Sequence, residues 1–309
     1  MSSLETQFLG LSLKNPLFLA SGIQGVTKAN LEEVCKNGAG AVICKSLTLE
    51  ERKGHETPIM VETNGGFLNA VGYSNPGIDA GLEEFNGWNK LESFVLSITA
   101  KSANEYGVLA EKISNKIKSG MRVDALEIVL SCPHTPEYGL MAGQQTPENA
   151  KEIIIQIRKH LPALNLIVKI SPGVPGEVET AKAIENAGAN AIDVGNTLGP
   201  GMVIDIERHA PVLGFGRGGL SGPALKPITM RCVYDIYKAV KIPIIGCGGV
   251  TYGADAIEYL QAGASAVAIG TAVHYRGTNV FKKVAKEMEN WLKEHNYSSV
   301  KEILGIAHK

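Results

Sequence analysis

"NAGANAIDVGN", residues 186–196, decides the fold. Its first half ends a helical pattern at Gly188, and its second half is an apolar run too short for a helix. The same device recurs as "NGAG" (37–40) ahead of "GAVICK" (40–45), and as "QAGA" (261–264) ahead of "SAVAIG" (265–270). A helix that closes on a glycine C-cap and passes at once into a strand explains all three. Working outward, further apolar runs appear: "PLFLA" (16–20), "SFVLSIT" (93–99), "ALEIVL" (125–130), "LNLIVKI" (164–170) and "IPIIGCG" (242–248). With "GAVICK", "NAIDVG" (190–195) and "SAVAIG" they make eight.

Helical patterns fall at 28–37, 102–118, 147–160, 176–187, 224–239, 253–262 and 278–294, several with start signals such as Thr146-Pro147 and Gly253-Ala254-Asp255. Near-continuous Val/Ile/Ala strands between helices imply a parallel sheet buried on both faces. Eight such units in 309 residues predict a (β/α)8 TIM barrel, a single domain spanning 1–309. A doubly wound sheet is the alternative. Two insertions, 46–92 and 198–222, follow strands and so belong on the C-terminal face, where barrels place their active sites.

Hydrophobic residues make up 44% of the chain and charged residues 20%, the balance of a globular protein with a sizeable core. Thirty basic residues stand against 31 acidic ones, net −1, which leaves no electrostatic footprint for nucleic acid. No basic run suggests a membrane surface, and no stretch reaches the roughly 18 apolar residues of a spanning helix. "MSSLETQFLGLSLKNP" lacks a basic segment followed by an apolar one, so no signal peptide is expected. The cysteines (35, 44, 132, 232 and 247) are scattered, odd in number and without a C-x-x-C pair. The expectation is reduced thiols in a cytoplasm, with no disulfide framework and no metal or iron–sulfur site of the chain's own.

The strand ends carry Ala20-Ser21-Gly22, Lys45-Ser46, Ser131-Cys132, Lys169, Asn196-Thr197, Gly248-Gly249 and Gly270-Thr271. The two glycine turns follow the seventh and eighth strands, where barrels commonly bind phosphate. On that reading a bulky residue at Gly249 would occupy the phosphate's space. Lys45 and Lys169 end apolar strands and point to an anion or an electron-rich ring at the mouth. No acidic triad is expected beside them. His209 and His274 read as satisfied surface or core histidines.

Together the motifs resemble the class 1 dihydroorotate dehydrogenases, FMN-dependent enzymes of pyrimidine synthesis. The resemblance runs the whole chain, through "NPLFLASG" (15–22), "GAGAVICKS" (38–46), "LNAVGYSNPG" (68–77), "SCPH" (131–134), "VKISP" (168–172), "GNT" (195–197), "GGLSGPALKP" (218–227), "IPIIGCGGV" (242–250), "AVAIGTA" (266–272) and "EILGIAHK" (302–309). "NAVGYSNPG" and "GGLSGPALKP" are the specific ones.

The resemblance implies FMN in the barrel mouth, lined by Ala20, Ser21, Gly22, Lys45, Ser46 and Lys169. Its phosphate would rest on Gly222, Gly248, Gly249, Gly270 and Thr271. Dihydroorotate would meet Lys45, Asn69, Gly72, Tyr73, His134, Asn196 and Thr197. Cys132 takes the place of the active-site base, with Ser131 the other candidate. A thiol, with its ordinary pKa of ~8.5, is far more readily available in its basic, ionised form near neutral pH than a hydroxyl. No metal is implied. "SCPH" and "GIAHK" look more like the branch that pairs with an FAD and iron–sulfur subunit and passes electrons to NAD, a heterotetramer. The other branch is a homodimer that reduces fumarate; for this chain a homodimer is expected, with the heterotetramer as the alternative.

The family pattern is Asn-x-Ser-Cys-Pro-Asn. This chain has Val129 for the first asparagine and His134 for the second. Both asparagines hydrogen-bond the pyrimidine, and valine offers no side-chain donor. A related FMN oxidoreductase acting on another cyclic imide or dihydropyrimidine is therefore the alternative reading. A barrel that keeps FMN without catalysis is a third. A sugar-phosphate aldolase or isomerase, with Schiff-base chemistry at a lysine and no flavin, is the most distant.

Overall fold

In the computed structural model, residues 3–133 and 135–309 are described. Eight parallel strands close into a barrel in sequential order. They are β1 (Leu17–Leu19), β2 (Ala41–Ile43), β3 (Ser93–Ile98), β4 (Ala125–Val129), β5 (Asn165–Ile170), β6 (Ala191–Val194), β7 (Ile244–Cys247) and β8 (Ala266–Ile269). Each lies within the apolar run that predicted it. This is the (β/α)8 barrel, and the doubly wound alternative falls, because β8 pairs back onto β1 through Val267↔Leu17.

The barrel helices are α1 (Lys28–Lys36), α2 (Ile78–Phe85), α3 (Ala103–Lys118), α4 (Pro147–His160), α5 (Glu177–Asn186), α6 (Lys226–Ala239), α7 (Gly253–Gln261), α8 (Ala272–Arg276) and α9 (Val280–Glu294). Thr27, Ser102 and Thr146 cap α1, α3 and α4, each accepting a backbone N–H with its hydroxyl. Such a cap stabilises a helix by ~1 kcal/mol. The repeated glycine behaves as read. Gly38, Gly188 and Gly263 follow α1, α5 and α7 at φ of 103°, 95° and 110°, where a side chain would be strained.

Two layers of core follow from strand alternation. Outward residues such as Leu17, Val42, Leu126 and Val168 pack under the helices. Inward residues such as Phe18, Ile43, Val95, Ala125, Ile167 and Ile245 fill the barrel. An N-terminal hairpin, Thr6–Phe8 with Leu11–Leu13, brings Phe8 and Leu13 against that interior. Phe8 meets the Phe18 ring edge-on at 5.3 Å. The hairpin closes the N-terminal end, where Asn165 Nδ2 at the start of β5 donates to Leu9 O at 3.1 Å. Chemistry is left to the opposite end.

There the two insertions meet. Met60–Thr63 and Gly66–Asn69 from the first pair with Gly218–Ser221 and Leu198–Gly201 from the second in one antiparallel sheet. Gly219 pairs with Asn69 and Ser221 with Phe67. A small core of Leu68, Ala70 and Leu213 supports it. Among the described residues no helix is long and apolar enough to cross a membrane.

Candidate active site

Between this sheet and the C-terminal ends of the strands lies a cavity of about 370 Å³, within the usual range for small-molecule sites. Ala20, Ser21 and Gly22 line it after β1, and Lys45 and Ser46 after β2. Asn69, Gly72 and Tyr73 enter from the first insertion, and Cys132 from the loop after β4. Lys169, Asn196 and Thr197 come from β5 and β6, and Gly222, Gly248, Gly249, Gly270 and Thr271 close the ring. The fold thus brings together every site residue expected from sequence except His134, which lies outside the described residues.

Cys132 and Ser131 part company here. Ser131 is fully buried, and its Oγ accepts a hydrogen bond from Asn196 Nδ2 at 2.7 Å. Cys132 reaches the cavity, clusters with Tyr73 and Tyr138, and donates from Sγ to Thr135 Oγ1 at 3.2 Å. Its loop is tied down on both sides. Gln144 donates to Ala100 O (2.7 Å) and accepts from Gly139 N (2.9 Å), and Gln145 exchanges two bonds with the Ser171 backbone.

Tyr73 is held at a left-handed φ of 57°. Asn75 fixes that bend, donating to Tyr73 O at 2.7 Å and accepting from Gly77 N and Thr48 N. A backbone forced into this region signals a position set by its surroundings, often a functional one. The Tyr73 ring lies 5.3 Å beneath Lys45 Nζ.

The two lysines differ. Burial holds the Lys45 ammonium below its ordinary pKa, and the Lys169 charge adds to the effect. Burial also opposes charge on Lys169, but two carboxylates hold its pKa above the ordinary value. Asp193 Oδ2 is 2.8 Å from Lys169 Nζ, and Glu127 Oε2 is 3.6 Å away. No acidic triad is expected from the sequence, and this pair of carboxylates at Lys169 is not anticipated there either. Glu127 and Asp193 sit inside β4 and β6, on the inward parity of Lys169. The signal that could have found them is a lone acid in an otherwise apolar barrel strand, a rare placement unless it is paired.

Four further positions shape the cavity. A Cβ on Gly249, at φ 70°, would meet Lys226 Cβ at 2.7 Å and Gly222 O at 3.0 Å, so close chain packing also requires a glycine at this cavity-lining position. A Cβ on Gly270 would meet only Ala20 Cβ, at 3.7 Å, and Gly270 is the position where a side chain has space to enter the cavity. His274 also lines the cavity, edge-on to Phe67 at 4.6 Å. Val129, which replaces the family asparagine, faces the cavity as an apolar wall and is 2% exposed. Its carbonyl accepts from Tyr106 Oη (2.8 Å) and Thr99 Oγ1 (3.2 Å).

Comparison with known proteins agrees with this arrangement. A family model described as dihydroorotate dehydrogenase matches residues 3–292. The chain is 43% identical over 306 residues to the dihydroorotate dehydrogenase B (NAD(+)) catalytic subunit of Pyrococcus abyssi, covering 99% of each chain. It is 42% identical over 311 residues to the protein of that name from Methanocaldococcus jannaschii, covering 99% of this chain and 98% of the other. Among solved structures, the dihydroorotate dehydrogenase of Eimeria tenella in complex with ferulenol shares the fold, with a TM-score of 0.82 at 24% identity, covering 99% of this chain and 89% of that one. The chain belongs to the dihydroorotate dehydrogenase family, in its class 1 branch.

Proposed function

We propose that the protein oxidises dihydroorotate to orotate in pyrimidine biosynthesis, with FMN in the cavity and Cys132 as the base. The observation that carries the assignment of the base is the divergence of two neighbours: Cys132 opens on the cavity while Ser131 is committed to Asn196. The family is flavin-dependent. The cavity suits FMN in three respects: its volume, its two lysines, and the glycine turns at 248–249 and 270–271 that line it. FMN, when bound, supplies the redox chemistry by accepting the hydride from substrate C6.

Cys132 takes the proton from C5, so that the C5–C6 bond becomes double as the C6 hydride leaves. Lys169 and Lys45 supply positive charge where negative charge develops on the ring. Asn69, Gly72, Tyr73, Asn196 and Thr197 orient the substrate. Thr197 stays in place because Asn196 Oδ1 accepts from its N–H at 2.8 Å. The whole chain, 1–309, acts as one barrel domain and as a catalytic subunit. A partner subunit carrying FAD and an iron–sulfur centre would take up the electrons, in a heterotetramer built on a homodimer of barrels.

Anaerobic titration tests this. The purified protein is yellow, releases FMN on heating, and bleaches on addition of dihydroorotate. Gly270→Leu folds but comes out colourless, because its side chain enters the cofactor's space. A yellow protein that dihydroorotate leaves unbleached would remove the substrate assignment, and a colourless wild type would remove the cofactor.

A further inference from the structure

At the cavity floor three charged side chains are packed together and almost wholly buried. Lys169 is 3% exposed, and Glu127 and Asp193 are fully buried. The strands place them together: Asp193 pairs in register with Lys169, and Glu127 sits one strand over on β4. One cation faces two acids.

The oxygen inventory is uneven. Asp193 Oδ2 receives Lys169 Nζ, and Glu127 Oε1 receives Ser97 Oγ–H at 2.6 Å. Glu127 Oε2 and Asp193 Oδ1 remain, both buried and with no hydrogen-bond donor among the described residues. Both carboxyl groups converge on the same ammonium, Asp193 Oδ2 at 2.8 Å and Glu127 Oε2 at 3.6 Å from Lys169 Nζ. An ionised carboxyl only accepts, so two neighbouring acids can satisfy one another's oxygens only if a proton is held between them. With both acids ionised, the buried cluster would also carry an unmatched negative charge, which a low-dielectric interior resists.

We propose that Glu127 and Asp193 share one proton, so that Lys169 faces the cofactor from a floor of zero net charge. Both acids are thus positioning residues that act through Lys169. The inference rests on the reading that a flavin occupies the cavity only in its consequence for redox potential, not in the shared proton itself. The raised Asp193 carboxyl, pushed up to about 7 by burial and by Glu127 against the pull of Lys169, agrees with it.

The other groups facing the cluster do not take this proton. Burial pushes the thiols of Cys44 and Cys247 up to about 12. Lys45, whose ammonium burial disfavours, stands above the floor, and Ser21, Ser46 and Ser97 contribute only hydroxyls. At the cavity end Ser46 joins the chain, with Ser97 Oγ 2.9 Å from its own.

Two measurements test the proposal, the first without flavin. Infrared difference spectra of the apoprotein, titrated from mildly acidic to mildly alkaline pH, should show one protonated-carboxyl band that titrates near neutrality. The band should vanish in both Glu127→Gln and Asp193→Asn. Absence of the band in wild type, or its survival in both variants, overturns the proposal. The second is the midpoint potential of the bound flavin. Each single amide variant keeps a net-neutral floor and should match wild type at neutral pH. The double variant leaves Lys169 alone and should shift the potential upward. The wild-type potential should also fall more steeply than either variant's as pH rises, since only wild type has a shared proton to lose. Were both acids ionised instead, each single variant would already shift the potential upward at neutral pH. Should Asp193→Asn fail to fold, Glu127→Gln alone carries both measurements. A protein without flavin would sink the cofactor reading while leaving the infrared test intact.

Discussion

Lys45 and Lys169 occupy equivalent places in the sequence pattern, each at or beside the end of an apolar barrel strand, yet the fold gives them opposite surroundings. Around Lys45 are an aromatic face and a thiol. The Tyr73 ring lies 5.3 Å away, Cys132 lines the same cavity, and burial lowers the lysine's pKa. Around Lys169 are two carboxylates that hold it charged. The first lysine sits on the wall that carries the proposed base. The second belongs to the floor and anchors charge there. Residue type and strand position brought both to the cavity, and the neighbouring strands decided what each does.

The comparison breaks most visibly on stability. Lys169→Met leaves two buried carboxyls without their cation, and breaking a buried pair costs ~3–5 kcal/mol. Lys45→Met removes a charge that burial already disfavours, so stability should stay within about 1 kcal/mol of wild type. Burial already raises the Asp193 carboxyl above its ordinary pKa against the pull of Lys169, and Lys169→Met removes that pull. The folded state then binds more protons, so the deficit shrinks as pH falls through the carboxyl range and is full above it. Urea denaturation of both variants at several pH values checks this. Equal losses would mean that the two surroundings do not differ in the way the geometry indicates.

Next in size is the wall. Cys132→Ala should retain flavin and slow its reduction by dihydroorotate ~100-fold or more, the scale of a lost positioned base. Cys132→Ser should fall between and recover as pH rises. Ser131→Ala removes the acceptor for Asn196 Nδ2, so it should raise the substrate KM more than it lowers the reduction rate. Anaerobic stopped-flow separates them. If Ser131→Ala is the damaging change and Cys132→Ala is mild, the serine is the base.

What could be read without coordinates follows from the range of the interactions involved. The barrel strands were legible because each is a local apolar run, and the glycine-terminated helices because a C-cap is local too. Lys45, Lys169 and Cys132 were legible as polar residues at the ends of such runs. Helix α2 was not, because it lies inside a long insertion with only a glycine, Gly77, at its N-cap and no side-chain cap bond. The sheet over the mouth was not legible either. Asn69 meets Gly219 across 150 residues, and nothing local to either segment specifies that pairing. Glu127 and Asp193 were hidden for a third reason. A strand read as an apolar run absorbs one acid without breaking the pattern, and only the inward parity shared with Lys169 reveals the cluster.

The smallest effect is expected at Val129, where wall and floor meet. An asparagine here would offer the pyrimidine an amide, and valine offers none. The wild-type cavity has other donors. Asn69 Nδ2 makes only a long bond of 3.4 Å to Gly219 O, so it is available to a ligand. Asn196 is already committed to Ser131 and to the Thr197 N–H. If dihydroorotate binds, Asn69 carries the contact that Val129 lacks, and Val129→Asn adds a second partner. Binding should then be unchanged or stronger, by at most ~1–3 kcal/mol for a buried hydrogen bond of this kind. The carbonyl of residue 129 keeps its bonds from Tyr106 and Thr99, so the backbone there should not move. Equilibrium titration of dihydroorotate against the oxidised variant and the wild type, in the Cys132→Ala background to prevent turnover, measures the difference directly. Weaker binding in Val129→Asn would mean that an apolar edge of the ligand packs on this wall and that the added amide is buried without a partner. The substrate would then be a different cyclic imide or dihydropyrimidine, one lacking a polar group on that side.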